Sequence, residues 1–232
     1  LMIHVENDLL KYSTFFQMLR HGNCRALVNI EFGKNQYFGG LHDTTIPWHP
    51  CCMPHFLTPA REASIGTGAL YAARIAPWKN PHLFKKAFPE GDVFGQISDM
   101  SYARDNDLLV QDFNSANSDY SFQFKDYDIF WACSGNHHTP MAVKRMELSA
   151  WEALHHGLMP IVNPFMMPQD LRYAFIEFDP IRPDFDKLKF DIEIYRNDKK
   201  EFFEMAQGYV NQSEQSSNNI IKQVGKIIEV IT

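Results

Sequence analysis

Arg74 and Lys79 sit in the segment Arg74-Ile-Ala-Pro-Trp-Lys79, directly after the apolar run Ala69–Ala73. Arginine offers a planar fork that meets phosphate oxygens two at a time, and lysine adds a compact charge. Two cations on one loop suit a diphosphate, whose charge grows as a bond to it breaks. Taken alone, the pair reads more simply as solvated surface charge. A second group is Glu147-Leu-Ser-Ala-Trp-Glu152-Ala-Leu-His-His-Gly157, followed by Met-Pro-Ile-Val162. A carboxylate facing a crevice can accept both hydroxyls of a ribose. The plainer alternative is an exposed acid on an amphipathic helix. Glu147 and Glu152 are five apart, so one helical face cannot hold both squarely. A third group is the turn Ser134-Gly-Asn-His-His138. Free N–H groups at a helix start favour anions, so Gly135 and Asn136 are candidates for backbone contacts to phosphate. His137 and His138 could face a ligand or water.

Regular elements have to position these groups. From residue 69 the pattern alternates short apolar runs with helical ones. Strands are predicted at 69–73, 92–97, 128–133, 159–162 and 174–178. A helix is predicted at 81–88, with Asn80 as its cap and Pro81 in its first turn. A long helix is predicted from Pro140 to His156, with Thr139 as cap and Gly157 as terminator. The tail reads as two helices within 198–231, broken at 213–219. This alternation predicts a mainly parallel sheet covered on both faces. In such sheets ligands bind at the carboxyl ends of strands, where Arg74 and Lys79 would project. Upstream, 6–21 reads as an amphipathic helix and 25–32 contains a strand. The stretch 33–67 reads as loop, with prolines at 47, 50, 54 and 59. A boundary is placed near Gly66-Thr67-Gly68, dividing the chain into 1–66 and 67–232.

Composition narrows the function classes. The chain has 232 residues, with 45% hydrophobic and 22% charged, as in ordinary globular proteins. No apolar run approaches the ~18 residues that span a bilayer. The net charge of −6 is uneven, with nine acids against Arg104 and Lys125 between Glu90 and Asp128. A global basic face for nucleic acid is therefore missing, and any contact with DNA would use a local patch. Cys24, Cys51, Cys52 and Cys133 show no zinc-finger spacing and read as reduced thiols of a cytoplasmic protein. His49-Pro-Cys-Cys-Met-Pro-His55 is too crowded to wrap one tetrahedral ion, so no metal is expected there.

Together the three groups resemble the C-terminal domain of retaining two-domain (GT-B) glycosyltransferases. The resemblance covers about residues 66–231. It implies a Rossmann-like donor domain with a short or truncated N-terminal acceptor domain. It also implies that Arg74 and Lys79 hold the donor diphosphate and that Glu152 binds the donor ribose. The family often carries another glutamate eight residues before that one; here Lys144 stands there, and the acid is Glu147, five before. That spacing, with Trp78 before the lysine, is similar to bacteriophage DNA α-glucosyltransferases. Ile46–Phe56 looks like the family's passage between domains. The stretch Ile3-His-Val-Glu-Asn7 resembles the end of a first-domain strand that places a catalytic-site histidine or acid, here His4 or Glu6.

The resemblance therefore implies transfer of a sugar from a nucleotide diphosphate, UDP-glucose or similar, to a hydroxyl, without metal or other cofactor. Hydroxymethylcytosine in phage DNA is one acceptor, which would place the protein in the host cytoplasm. A polysaccharide or lipid-linked acceptor is the alternative. Residues 1–66 are fewer than an ordinary acceptor domain, so a second chain could supply the rest. Two rivals stand beside this. A metal-dependent glycosyltransferase would use an Asp-x-Asp pair after an apolar strand. Of Asp105-Asn-Asp107, Asp126-Tyr-Asp128 and Asp184-Phe-Asp186, none is so placed, and all read as solvated acidic loops. A non-catalytic nucleotide-sugar-binding subunit would keep the cations without turnover.

Overall fold

The computed structural model describes residues 27–29, 45–47, 62–108, 124–135, 147–167, 171, 174–212, 225 and 229. Two short strands lie in the first part of the chain. β1 (Leu27–Asn29) pairs in parallel with β2 (Thr45–Pro47), Leu27 opposite Thr45. β1 falls where a strand is expected. β2 lies inside the stretch expected to be loop, where its prolines masked a three-residue run. The helix expected at 6–21 lies outside the described residues.

The main sheet has five strands: β3 (Gly68–Ala72), β4 (Asp92–Phe94), β5 (Tyr127–Ala132), β6 (Met159–Val162) and β7 (Ile176–Glu177). Their spatial order is β4-β3-β5-β6-β7, and every pairing is parallel. The protein is thus an α/β protein built on a parallel sheet, compatible with a Rossmann-like fold. β5 is buried at all six positions, as expected of a central strand with both faces covered. Trp131 packs against Phe84, Phe88 and Phe178, with ring centroids 5.2–6.5 Å away. Tyr71, Phe84, Phe130 and Ile129 fill the core around it.

Five helices are described: α1 (Pro81–Ala87), α2 (Met100–Asp105), α3 (Leu148–His155), α4 (Phe185–Asn197) and α5 (Lys199–Gln212). α2 occupies a stretch expected to be irregular; the Asp99 carboxylate accepts the Tyr102 N–H at 2.9 Å and starts it. α4 was not expected either. Asp184 caps it by accepting from the Lys187 N–H, and Leu188, Ile192 and Tyr195 form its buried stripe. Asp184 is therefore a helix cap rather than part of an acidic loop. The long helix expected from 140 is shorter among the described residues. Glu147 is extended, with ψ of 146°, and α3 begins after it. α3 ends as expected at Gly157, whose φ of +83° suits glycine. There the Leu158 N–H reaches the Ala153 carbonyl and the Gly157 N–H the Leu154 carbonyl, a double closure of the last turn.

Asp128 also departs from expectation. It is fully buried at the start of β5 and accepts from Arg196 Nε and Nη2 and Lys199 Nζ, each at 2.8 Å. The Asp128 side of that Asp-x-Asp pair is a structural ion cluster that ties the α4–α5 junction to the sheet. The same two cations reach the carbonyls of Thr67 and Gly66, at 2.6 and 2.5 Å. Hydrogen bonding to Asp128 pushes the Arg196 guanidinium above its ordinary pKa.

Candidate functional site at the carboxyl edge of β3 and β5

The strand order points to one candidate position for a ligand. From β3 the chain first moves outward to β4, then returns to lay β5 on the other side of β3. Right-handed crossovers send the connections after β3 and β5 to opposite faces. In open α/β sheets such a reversal, at the carboxyl ends of the two strands, is where ligands bind. The loop after β3 carries Arg74 and Lys79, and the segment after β5 carries Ser134 and Gly135.

The β3 loop is held from several sides. The Ala73 and Ile75 N–H groups donate to the Phe94 and Gln96 carbonyls, at 3.1 and 2.9 Å. Tyr71 Oη donates to the Arg74 carbonyl at 2.7 Å. Burial, reinforced by the Glu147 charge, pushes the Tyr71 phenol well above its usual range, so it remains a donor. Arg74 itself is exposed and makes no ion pair with another described residue. Pro77–Lys79 form a single 3₁₀ turn that leaves Trp78 partly exposed.

Asn80 is the tether between the two loops. Its φ of 53° is left-handed, and its side chain makes no cap bond to α1, contrary to expectation. Nδ2 instead donates to the carbonyls of Cys133 and Gly135, at 3.0 and 2.9 Å. The Gly135 N–H returns a bond to the Trp78 carbonyl at 2.7 Å. That amide is therefore satisfied within the protein, which removes the free N–H expected for an anion contact. Gly135 has another use: φ is +105°, and a Cβ there would lie 2.9 Å from Asn163 Nδ2. Asn163 in turn donates to the Ser134 carbonyl at 2.8 Å and accepts from the Phe165 N–H at 3.0 Å. Ser134 Oγ is buried without a hydrogen-bond partner.

Lys79 Nζ meets Glu147 Oε2 at 2.7 Å, with about a quarter and a fifth of the two side chains exposed. The Ser149 hydroxyl adds a longer contact to the same oxygen, 3.4 Å. Burial, with the Glu147 charge after it, pushes the Cys133 thiol up. Cys133 is a free, buried thiol that donates to the Phe178 carbonyl. Of the residues read from sequence, Lys79 and Glu147 are thus in contact, and Arg74 and Gly135 belong to the same two loops. Glu152 lies on α3, half-buried, about 7.5 Å further along the axis at the usual helical rise. His4, Glu6 and Asn136 lie outside the described residues, as do His49–His55 and the histidines at 137 and 138. Asn80 and Asn163 were missed as site-building residues. A lone asparagine before proline carries a cap signal in sequence, and its long-range bonds leave none. Among the described residues no cluster of three or more His, Cys, Asp or Glu could hold a metal. Among them no helix is long and apolar enough to cross a membrane.

Neither a protein-family model nor a curated protein matches this chain.

Proposed function

We propose that this protein binds a nucleoside diphosphate sugar, UDP-linked, in the β3–β5 crevice and transfers the sugar to a hydroxyl acceptor. The observation that carries this is the presence of Arg74 and Lys79 on the loop after β3, one of the two segments that border the reversal of strand order. Arg74 offers its fork to phosphate oxygens, and Lys79 adds a second charge as the diphosphate leaves. Within this proposal the fold is the donor half of a GT-B glycosyltransferase, and residues before 67 belong to the acceptor side. Resemblance gives the ribose to Glu152, while Glu147 is ion-paired with Lys79. No metal is needed in this scheme, because the two cations supply the charge.

The proposed acceptor is a hydroxymethylated base in DNA. The test is incubation of the chain with UDP-glucose and hydroxymethylcytosine-containing DNA, followed by mass analysis of the nucleosides. A hexose adduct supports the function. UDP binding without transfer to DNA, oligosaccharide or lipid-linked acceptors, and without donor hydrolysis, would leave a sugar-nucleotide-binding subunit instead.

A further inference from the structure

The two cations of the β3 loop are not equivalent. Arg74 is open to solvent, whereas Lys79 is occupied by Glu147 at 2.7 Å. Glu147 comes from a different part of the chain, in an extended residue just ahead of α3. An anion that bridges Arg74 and Lys79 competes with that carboxylate for the Lys79 ammonium. We infer that Glu147 is a displaceable internal anion: it occupies Lys79 in the unliganded site and gives way to a diphosphate that bridges both cations.

The inference rests on the diphosphate reading of the crevice, but the displacement itself needs only an anion that uses Lys79. When a binding-competent form is only a fraction of the population, apparent affinity falls by that fraction. A partly exposed ion pair is worth up to about 1 kcal/mol, so freeing Lys79 is expected to tighten binding by about fivefold. An anion that touches Arg74 alone gains nothing. Glu147 therefore distinguishes anions that use Lys79, such as a diphosphate bridging both cations, from ions that settle on Arg74 alone.

The test uses inorganic pyrophosphate and UDP, titrated by calorimetry into the wild-type chain, Glu147→Gln, Lys79→Met and the double variant. Thermal melting establishes that each is folded. Lys79 acylation, read by mass spectrometry, reports the free amine directly. Glu147→Gln is expected to bind pyrophosphate about fivefold more tightly, and the gain is expected to vanish in the Lys79→Met background. Lys79 should acylate faster in Glu147→Gln than in wild type. Unchanged or weaker pyrophosphate binding in folded Glu147→Gln, a gain that survives Lys79→Met, or equal acylation overturns the inference. Absence of pyrophosphate binding in both wild type and Glu147→Gln overturns it too. If the pyrophosphate gain appears but UDP binds neither form, the displacement stands and the nucleotide-sugar function falls. If UDP binds and Glu147→Gln gains nothing, the function stands and the displacement falls.

Discussion

Replacing Asn80 separates three contributions that the structure superimposes on one residue. Its amide makes two bonds to the carbonyls of Cys133 and Gly135, at 3.0 and 2.9 Å, and its backbone is left-handed with φ of 53°. Asn80→Gly keeps the backbone at ease and removes both bonds; at about 0.5–1.5 kcal/mol net each, the loss is about 1–3 kcal/mol. Asn80→Ala adds a Cβ in the left-handed region, a further cost of about 1 kcal/mol. Asn80→Asp tolerates the backbone but sets a buried carboxylate against two carbonyl oxygens, and is expected to be at least as damaging as alanine. Each kcal/mol lowers Tm by about 2–4 °C in a domain of this size. Urea unfolding followed by circular dichroism is expected to give the order wild type, glycine, alanine, aspartate. UDP affinity is expected to fall in the same order, because the bonds lost join the β3 loop to the β5 end. Glycine and alanine variants of equal stability would refute the strain, and an aspartate variant as stable as wild type would refute the donor role.

Two further predictions concern stability. Asp128→Ala strips a buried acceptor from Arg196 and Lys199, a change that costs about 3–5 kcal/mol when both partners are buried. Those cations keep 36% and 20% of their side chains in solvent, so the expected loss is nearer 2–3 kcal/mol in urea unfolding; a change under about 0.5 kcal/mol would show that the cluster is only surface charge. Burial lowers the pKa of both His82 and His156, with His155 adding to the latter. The folded chain then binds fewer protons than the unfolded one, so this stability is complete above about pH 6.5 and is lost as pH falls through that value toward the lower folded-state pKa values. Tm is expected to drop between pH 7.5 and pH 5, less so in His82→Gln; a flat profile contradicts the burial.

The parallel sheet was legible because its central strands carry apolar runs, such as Ile129–Cys133 or Met159–Val162, between helical patterns. The site was partly legible for the same reason. Arg74 and Lys79 follow such a run at once, so topology alone brings them to the crevice. What stayed hidden depends on long-range bonds. Asn80 looks like a local cap but reaches 55 positions along the chain to Gly135. Asp128 looks like a loop acid but is neutralised from 68 positions away by Arg196. α4 was missed although Leu188, Ile192 and Tyr195 carry its stripe, because charged residues between them and the flanking Pro183 suggested a loop. The Lys79–Glu147 contact was not foreseen, since a helix through Glu147 would have aimed that side chain differently.

Calorimetric titration with UDP, run with and without EDTA on wild type and Arg74→Ala, tests the central claim most directly. The account predicts binding in the micromolar range for wild type, indifferent to EDTA, and a loss of at least about tenfold in Arg74→Ala, as removal of a charge-assisted phosphate contact requires. UDP binding that needs a metal, or that survives Arg74→Ala unchanged, would contradict it.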